Sequence, residues 1–388
     1  MTTPQQLVER ARALVPALRE RQAKTDELRR LPDETIADLQ AAGLFKVIQP
    51  ARYGGYEMSP QTLFDVQMTL AEGCGSTAWV FGVVSVHSWQ LALFDDKAQQ
   101  EVWGDNQDVL ISSSYAPTGK VERVDGGFNF SGRWSFSSGC DHCDWAFLGG
   151  FVPVEQGPPD MRTFLVPKSD YTIDDNWHVA GLKGTGSKDI VVDNVFVPEH
   201  RTHKLIDGYK QKSPGNEVNT AALYRLPFGQ IFVRSVSTTA IGLAQRSLEV
   251  FRERAAGRIA ASDMTKVALE PRTQRVCAEA ATTIKEIKAV LRSNFQEMTT
   301  LVEAGEKITI PDRIQYRYES SMVVVKLMSV IDELFSASGG RAIFEGNELL
   351  RCFLDIHAAR AHYANNPDKP GRNLGGSHLG LKNVDFFI

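Results

Sequence analysis

Apolar residues recur at three- and four-residue steps from residue 5 to about residue 47, where Leu7, Ala11, Leu14 and Leu18 are followed by Ile36, Leu39 and Leu44. That period predicts amphipathic helix, and Pro32-Asp33-Glu34 has the proline and first-turn acids of a helix start. Tyr53-Gly54-Gly55 breaks the pattern. Helical spacing resumes from Ser59 through Ala71 and from Ser76 to about Leu93. The second stretch is apolar nearly all round (Trp79, Val80, Val83, Val84, Val86), which predicts a buried helix. Near residue 108 the texture changes to short β-type runs: Val109–Ser114, Lys120–Val124, Phe128–Trp134, Trp145–Val152, Thr163–Pro167 and Ile190–Pro198. Asp125-Gly126-Gly127 between two of them is a hairpin signal. Long helical periods return after about residue 218, over Ala240–Arg254, Pro271–Glu303 and Pro311–Ser336, with 208–217 read as a loop or linker. The order is helices, a small antiparallel β domain, then a helical bundle. The predicted class is α+β, mainly α, divided as 1–107, 108–207 and 208–388.

Composition narrows the function. With 388 residues, 43% hydrophobic and 23% charged, the chain has ample apolar surface for more than one domain. A formal net charge of −4, with both signs mixed along the sequence, argues against a nucleic-acid partner, which needs a basic face. No run approaches the roughly 20 apolar residues of a membrane span. The first residues, Met1-Thr2-Thr3-Pro4-Gln5-Gln6, lack a basic-then-apolar signal pattern. Five cysteines at 74, 140, 143, 277 and 352 do not form a disulfide framework, so a cytoplasmic protein with reduced thiols is expected.

The stretch from Gly132 to Trp145 carries the densest candidate chemistry. Cys140, His142 and Cys143 could be three zinc ligands, but Cys277 and Cys352 are isolated and no second closely spaced pair completes a tetrahedral set. No metal is expected, and Asp141-His142 reads as a turn. No Gly-x-Gly-x-x-Gly follows a strand, so nicotinamide binding within this chain is not expected.

Several segments together resemble the acyl-CoA dehydrogenase fold family over nearly the whole chain. They are Gly43-Leu44-Phe45 with Pro50-x-x-Tyr53-Gly54-Gly55, Gly181-Leu182-Lys183-Gly184-Thr185-Gly186-Ser187 followed by Val195-Phe196-Val197-Pro198, and Ser338-Gly339-Gly340 followed by Arg351 and Asp355. The resemblance implies an N-terminal helical domain, a middle antiparallel β domain and a C-terminal four-helix bundle with a tail. The chemistry departs from the dehydrogenases, which place a carboxylate base near the end of the chain. No Glu occurs here after Glu348, and His357 and His362 stand in that region.

A subgroup is more similar: the oxygenase components of two-component flavin-dependent aromatic monooxygenases. The sequence resembles the 3-hydroxy-9,10-secoandrostatrienedione hydroxylases and, more distantly, the p-hydroxyphenylacetate 3-hydroxylase oxygenases. The carrying segments are Cys74-Gly75-Ser76-Thr77-Ala78-Trp79, Val86-His87-Ser88-Trp89, Ile111 to Pro117, Ser137 to His142, and Asp355-Ile356-His357 with His362. The resemblance implies reduced flavin (FMNH2 or FADH2) from a separate NAD(P)H-flavin reductase, reaction with O2 through a flavin C4a-hydroperoxide, and hydroxylation ortho to a phenol hydroxyl. It also implies a homotetramer.

Residue roles follow from the same likeness. A lone His in an apolar helix is more often a packed core residue, but the family places a His near the phenol or flavin, so His87 is a catalytic candidate. His362 is favoured over His357 for the flavin edge; five residues apart on one helix, they cannot share a face. Ser113 is expected to orient substrate and Ser138 to meet flavin N5, with Ser112, Ser114 and Ser137 on the opposite face by strand alternation. Trp134 is a candidate wall against the isoalloxazine. Arg258, across a subunit boundary, and Ser338-Gly339-Gly340, with their close backbone approach, are candidates for the flavin phosphate. A same-fold enzyme acting on indole, a sulfur heterocycle or an amino sugar, an acyl-CoA dehydrogenase with its base elsewhere, and a non-catalytic scaffold all stay open at this point.

Overall fold

The computed structural model describes residues 2–157, 160–260 and 264–388. Six helices come first: α1 (Pro4–Glu20), α2 (Gln22–Leu28), α3 (Asp33–Ala41), α4 (Pro60–Ala71), α5 (Gly75–Leu91) and α6 (Asp96–Trp103). Thr3 starts α1 with a capping box, its side chain accepting from Gln6 N while the Gln6 side chain returns to Thr3 N. Every residue of α5 is buried, as its all-round apolar sequence requires.

The middle region holds β1 (Ile111–Val124), β2 (Gly127–Ser137), β3 (Trp145–Val152), β4 (Asp160–Pro167), β5 (Thr172–Asp174), β6 (Lys188–Pro198) and β7 (Thr202–Lys204) in one sheet of order β5-β6-β2-β1-β3-β4-β7. Two runs expected as separate strands merge into β1, with an irregular register between Ser114 and Gly119. The sheet is antiparallel except that β1 and β3 run parallel, with Ser113 opposite Phe147. The chain leaves β2, turns at Gly139 (φ +74°) and re-enters on the far side of β1, so β3 takes the direction of β1.

The last region contains α7 (Leu205–Lys210), α8 (Phe228–Gly257), α9 (Pro271–Glu303), α10 (Ile310–Ala337), α11 (Glu348–Arg360) and α12 (Asp368–His378). Helix α8 is the hub: it packs on α4 and α5 from the N-terminal helices and on α9, α10 and α11. Part of the expected 208–217 loop is helical as α7, and the Gly-rich α12 has no apolar period that would announce it.

The core divides in three. One cluster joins the helices around α5 and α8, and a second fills the β region around Phe130, Trp134 and Phe164. A third, with Phe94, Trp103, Ile111 and Phe147, seals the sheet against the N-terminal helices. Among the described residues no helix is long and apolar enough to cross a membrane.

Candidate active site

Helix α5 brings two chemical ends together. At one, His87 is fully buried and its Nδ1 lies 2.5 Å from the carbonyl oxygen of Ile111. A carbonyl only accepts, so Nδ1 carries the proton and Nε2 is a lone pair; that atom is buried without a partner. Desolvation lowers the His87 pKa to about 4, which keeps the ring neutral. Its neighbours are the rings of Tyr115 and Phe147, with centres at 6.1 and 5.8 Å. Alternation along β1 puts Ser113 on the Tyr115 side, and the Ser113 hydroxyl bonds Tyr115. Tyr115 in turn donates to Gln90 Oε1, one turn beyond His87. Ser112 and Ser114 lie on the other face, where the Ser114 hydroxyl donates to Ser135 O at 2.7 Å.

The other end lies eight residues back along α5, about 12 Å at 1.5 Å per residue. Trp79 Nε1 donates to Ser138 Oγ at 3.1 Å. From Ser138 a hydroxyl chain continues to Ser187 (2.7 Å) and Thr185 (2.7 Å), whose Oγ1 donates to Leu182 O at 2.9 Å. Leu182 N then donates to Asp355 Oδ1 at 2.5 Å. Burial pushes the Asp355 carboxyl up to about 7, although that backbone donor favours its charged form. His362 meets Trp79 edge-on at 5.7 Å, and Phe232 bridges the two ends, 6.0 Å from His362 and 5.2 Å from Tyr115.

The placement of the two histidines needs one correction. They do not share a helix: α11 stops at Arg360, and His362 starts a short turn in which its Nδ1 accepts from Ala364 N at 3.1 Å. Burial and the nearby Arg317 charge lower the His362 pKa to about 4. His357 stays on α11 at the surface and pairs with Asp332 at 2.9 Å.

Trp134 is a second correction. It is 0% exposed, inside the β-region core against Phe130 (4.8 Å), and its Nε1 donates to Gly149 O at 2.9 Å. No face is left for a cofactor. The exposed aromatic is Phe136, 70% accessible with φ +68°. A register shift between Trp134 and Ser137 ends the alternation, so Phe136 turns outward two residues before Ser138.

The cysteine cluster is internal. Cys140 Sγ donates to Gly186 O and Cys143 Sγ to Gly139 O, and burial pushes the Cys140 thiol up to about 12. Among the described residues no three His, Cys, Asp or Glu side chains are grouped to hold a metal ion.

Arg258 does meet Ser338-Gly339-Gly340. Its Nη1 donates to Ser338 O at 2.7 Å, beside a groove of about 990 Å³ lined also by Arg254, Arg341 and Asn347. This groove lies on the C-terminal helices, and its lining shares no residue with the seam between His87 and Ser138.

Sequence reasoning missed Tyr115, Phe232, Phe136 and two buried arginines. Arg317 Nη1 donates to Ala364 O at 2.9 Å and holds the turn that carries His362. Arg234 is buried on α8 with both terminal nitrogens unpartnered, and desolvation lowers its pKa to about 9. An arginine inside the apolar run Ile231–Val236 was the available signal.

Residues 2–105 match the family described as acyl-CoA dehydrogenase, N-terminal domain, and residues 235–367 match acyl-CoA dehydrogenase, C-terminal domain. The chain is 39% identical over 382 residues to the flavin-dependent monooxygenase oxygenase subunit HsaA of Rhodococcus jostii (strain RHA1), covering 98% of this chain and 100% of that protein. It is 32% identical to the p-hydroxyphenylacetate 3-hydroxylase oxygenase component of Acinetobacter baumannii, covering 97% and 89%. The crystal structure of 3-HSA hydroxylase from Rhodococcus sp. RHA1 superposes with a TM-score of 0.95 at 39% identity, covering 99% of each chain.

Proposed function

The chain belongs to the oxygenase components of flavin-dependent monooxygenases, built on the acyl-CoA dehydrogenase fold, and from that membership we propose that it hydroxylates a small phenol ortho to its hydroxyl. Electrons come from reduced flavin, FMNH2 or FADH2, delivered by a separate NAD(P)H-flavin reductase, and the oxygen from O2. No metal takes part. The enzyme works in the cytoplasm as a homotetramer.

One observation carries the reading: a single buried seam holds a neutral imidazole with a free lone pair at one end and a hydroxyl chain beside an outward-turned aromatic at the other. The chain's own groups suit a flavin there. Phe136 is an exposed flat ring beside the site, Ser138 offers a hydroxyl two residues on, and His362 offers Nε2–H because its Nδ1 is occupied. Arg258 with Ser338, Gly339 and Gly340 suits a flavin phosphate, reached across a subunit boundary. When bound, reduced flavin supplies the two electrons that let one oxygen atom of O2 enter the ring while the other leaves as water.

The phenol belongs at the His87 end. Nε2 accepts a hydrogen bond from the phenol hydroxyl and raises electron density on the ring. With its pKa near 4 it is a weak base, so it polarises the hydroxyl rather than removing the proton outright. Ser113 and Tyr115 fix the ring's orientation, and the surrounding aromatic side chains exclude water.

The test mixes the protein with an independent flavin reductase, NADH, FMN or FAD, O2 and a panel of phenols. Catechol formation supports the reading. Hydrogen peroxide alone, with every phenol and both flavins, overturns it.

A further inference from the structure

At the His87 end the seam is closed by the segment Asn383–Ile388. Phe387 packs on Phe228 (5.6 Å), Phe232 (5.9 Å) and Tyr363 (5.9 Å), and the first two of these rings also touch Tyr115. The space left beside Gln90, Tyr115, Phe228, Phe386 and Phe387 is about 30 Å³. That is room for about two waters, whereas a cavity that takes up benzene is about 150 Å³. A phenol therefore enters only if a wall gives way.

The helices α5 and α8 are buried core and cannot yield cheaply. The 383–388 segment is a short terminal stretch, held by the buried Ile388 and the packed Phe387 together with a set of polar contacts. Lys369 Nζ donates to Asp385 Oδ1 at 2.9 Å, Phe387 N donates to the same oxygen at 3.0 Å, and Asn373 Oδ1 accepts from Val384 N at 3.1 Å. Val384 and Phe386 remain exposed. The segment is tethered on its outer side and inserts one ring into the seam.

We propose that Phe387 is a specificity-determining residue whose ring occupies the space that a phenol's ring substituent takes, so that its bulk sets the largest substituent accepted. The proposal rests on the reading that the seam binds a phenol. Outward displacement of 383–388 opens the volume, and the phenol's substituent then packs on Phe228 and Phe232 where Phe387 stood. An apolar substituent is implied, because those two rings are the faces uncovered.

The experiment compares wild type, Phe387→Ala and Phe387→Trp on 4-alkylphenols from 4-methylphenol to 4-cyclohexylphenol, measuring kcat/KM for catechol formation and the accompanying peroxide. Phe387→Ala raises the ratio of kcat/KM for the cyclohexyl over the methyl compound by about tenfold or more, tenfold being the low end of what one methylene is worth in an apolar pocket. Phe387→Trp, which keeps an aromatic ring in place and guards against misfolding of the Ala variant, lowers that ratio. A ratio unchanged in both variants, or rates that fall equally for every phenol, overturns the role of Phe387 alone. A wild type that hydroxylates no phenol in the series while releasing peroxide overturns the phenol reading, and this proposal with it.

Discussion

His87 donates an Nδ1–H hydrogen bond to the carbonyl of Ile111 across 2.5 Å, and this one bond decides which nitrogen carries the free lone pair. His87→Ala removes the Nε2 lone pair and opens a cavity beside Tyr115. Catechol yield per NADH should fall by about tenfold or more, with peroxide rising to match, while reduced-flavin affinity changes little. Parallel assays of catechol and peroxide check this; an unchanged yield would remove His87 from the mechanism.

Ser138→Ala removes the first hydroxyl of the chain, between Trp79 and Ser187. The Trp79 N–H and the Ser187 hydroxyl both lose a buried partner. The expected cost is about 1–3 kcal/mol, seen as a lower urea midpoint with an unchanged slope. Ser138→Thr, which keeps the hydroxyl, should recover most of it.

Acid should destabilise the fold before carboxylates alone would require. His87 and His203 are both buried, and desolvation lowers each from the ordinary 6.5 to about 4. Between those values the unfolded chain binds the protons and the folded one does not, so stability falls as pH drops from about 6.5 to 4. Each site contributes at most about 3 kcal/mol of that loss. Thermal melts across this window should show it, and His203→Gln should flatten the slope.

Asp355 works in the opposite direction. Burial raises its pKa from 3.8 to about 7, so between those values the folded state holds the proton and stability falls as pH rises. Asp355→Asn keeps an acceptor for Leu182 N and removes the ionisation. Its melting temperature relative to wild type should therefore be highest above pH 7 and indistinguishable near pH 4; a constant difference at all pH values would contradict the buried charge.

Arg258→Gln should weaken reduced-flavin binding without altering the ratio of catechol to peroxide once flavin saturates, because Arg258 lines the separate groove. Titration with FMNH2 and FADH2 separates its targets. An equal loss with both places it on the phosphate common to them, and a loss with FADH2 alone places it on the second phosphate.

Some of this was legible in the amino-acid pattern and some was not, for identifiable reasons. The long period of α8, α9 and α10 carries over many turns and survives local irregularity. His87 stands out because an imidazole in an otherwise apolar helix is conspicuous. The likeness pointed to Trp134, but a bulge with a positive φ at Phe136 turns that neighbouring ring outward instead and leaves no mark in the hydrophobic pattern. His362 belongs to a turn because its own side chain caps that turn, a local bond that a helical period conceals. Helix α12 carries Gly371, Gly375 and Gly376, so propensity argues against it; packing on α10 and the contacts of Asn373 hold it instead. Tyr115 and Phe232 look like ordinary core residues, and only the fold brings them between two imidazoles.

The bond from Leu182 to Asp355 joins positions 173 residues apart. On the ribosome the N-terminal helices and the sheet emerge long before α11. Trp79, Ser138, Thr185 and Ser187 are then all present, and Gly184 N can already donate to Ser76 Oγ, but Leu182 N in the same loop still lacks its acceptor. Docking of Asp355 completes the row of hydroxyls. A nascent chain halted short of that residue holds every hydroxyl of the row, yet lacks the carboxylate that accepts from Leu182 N at its far end.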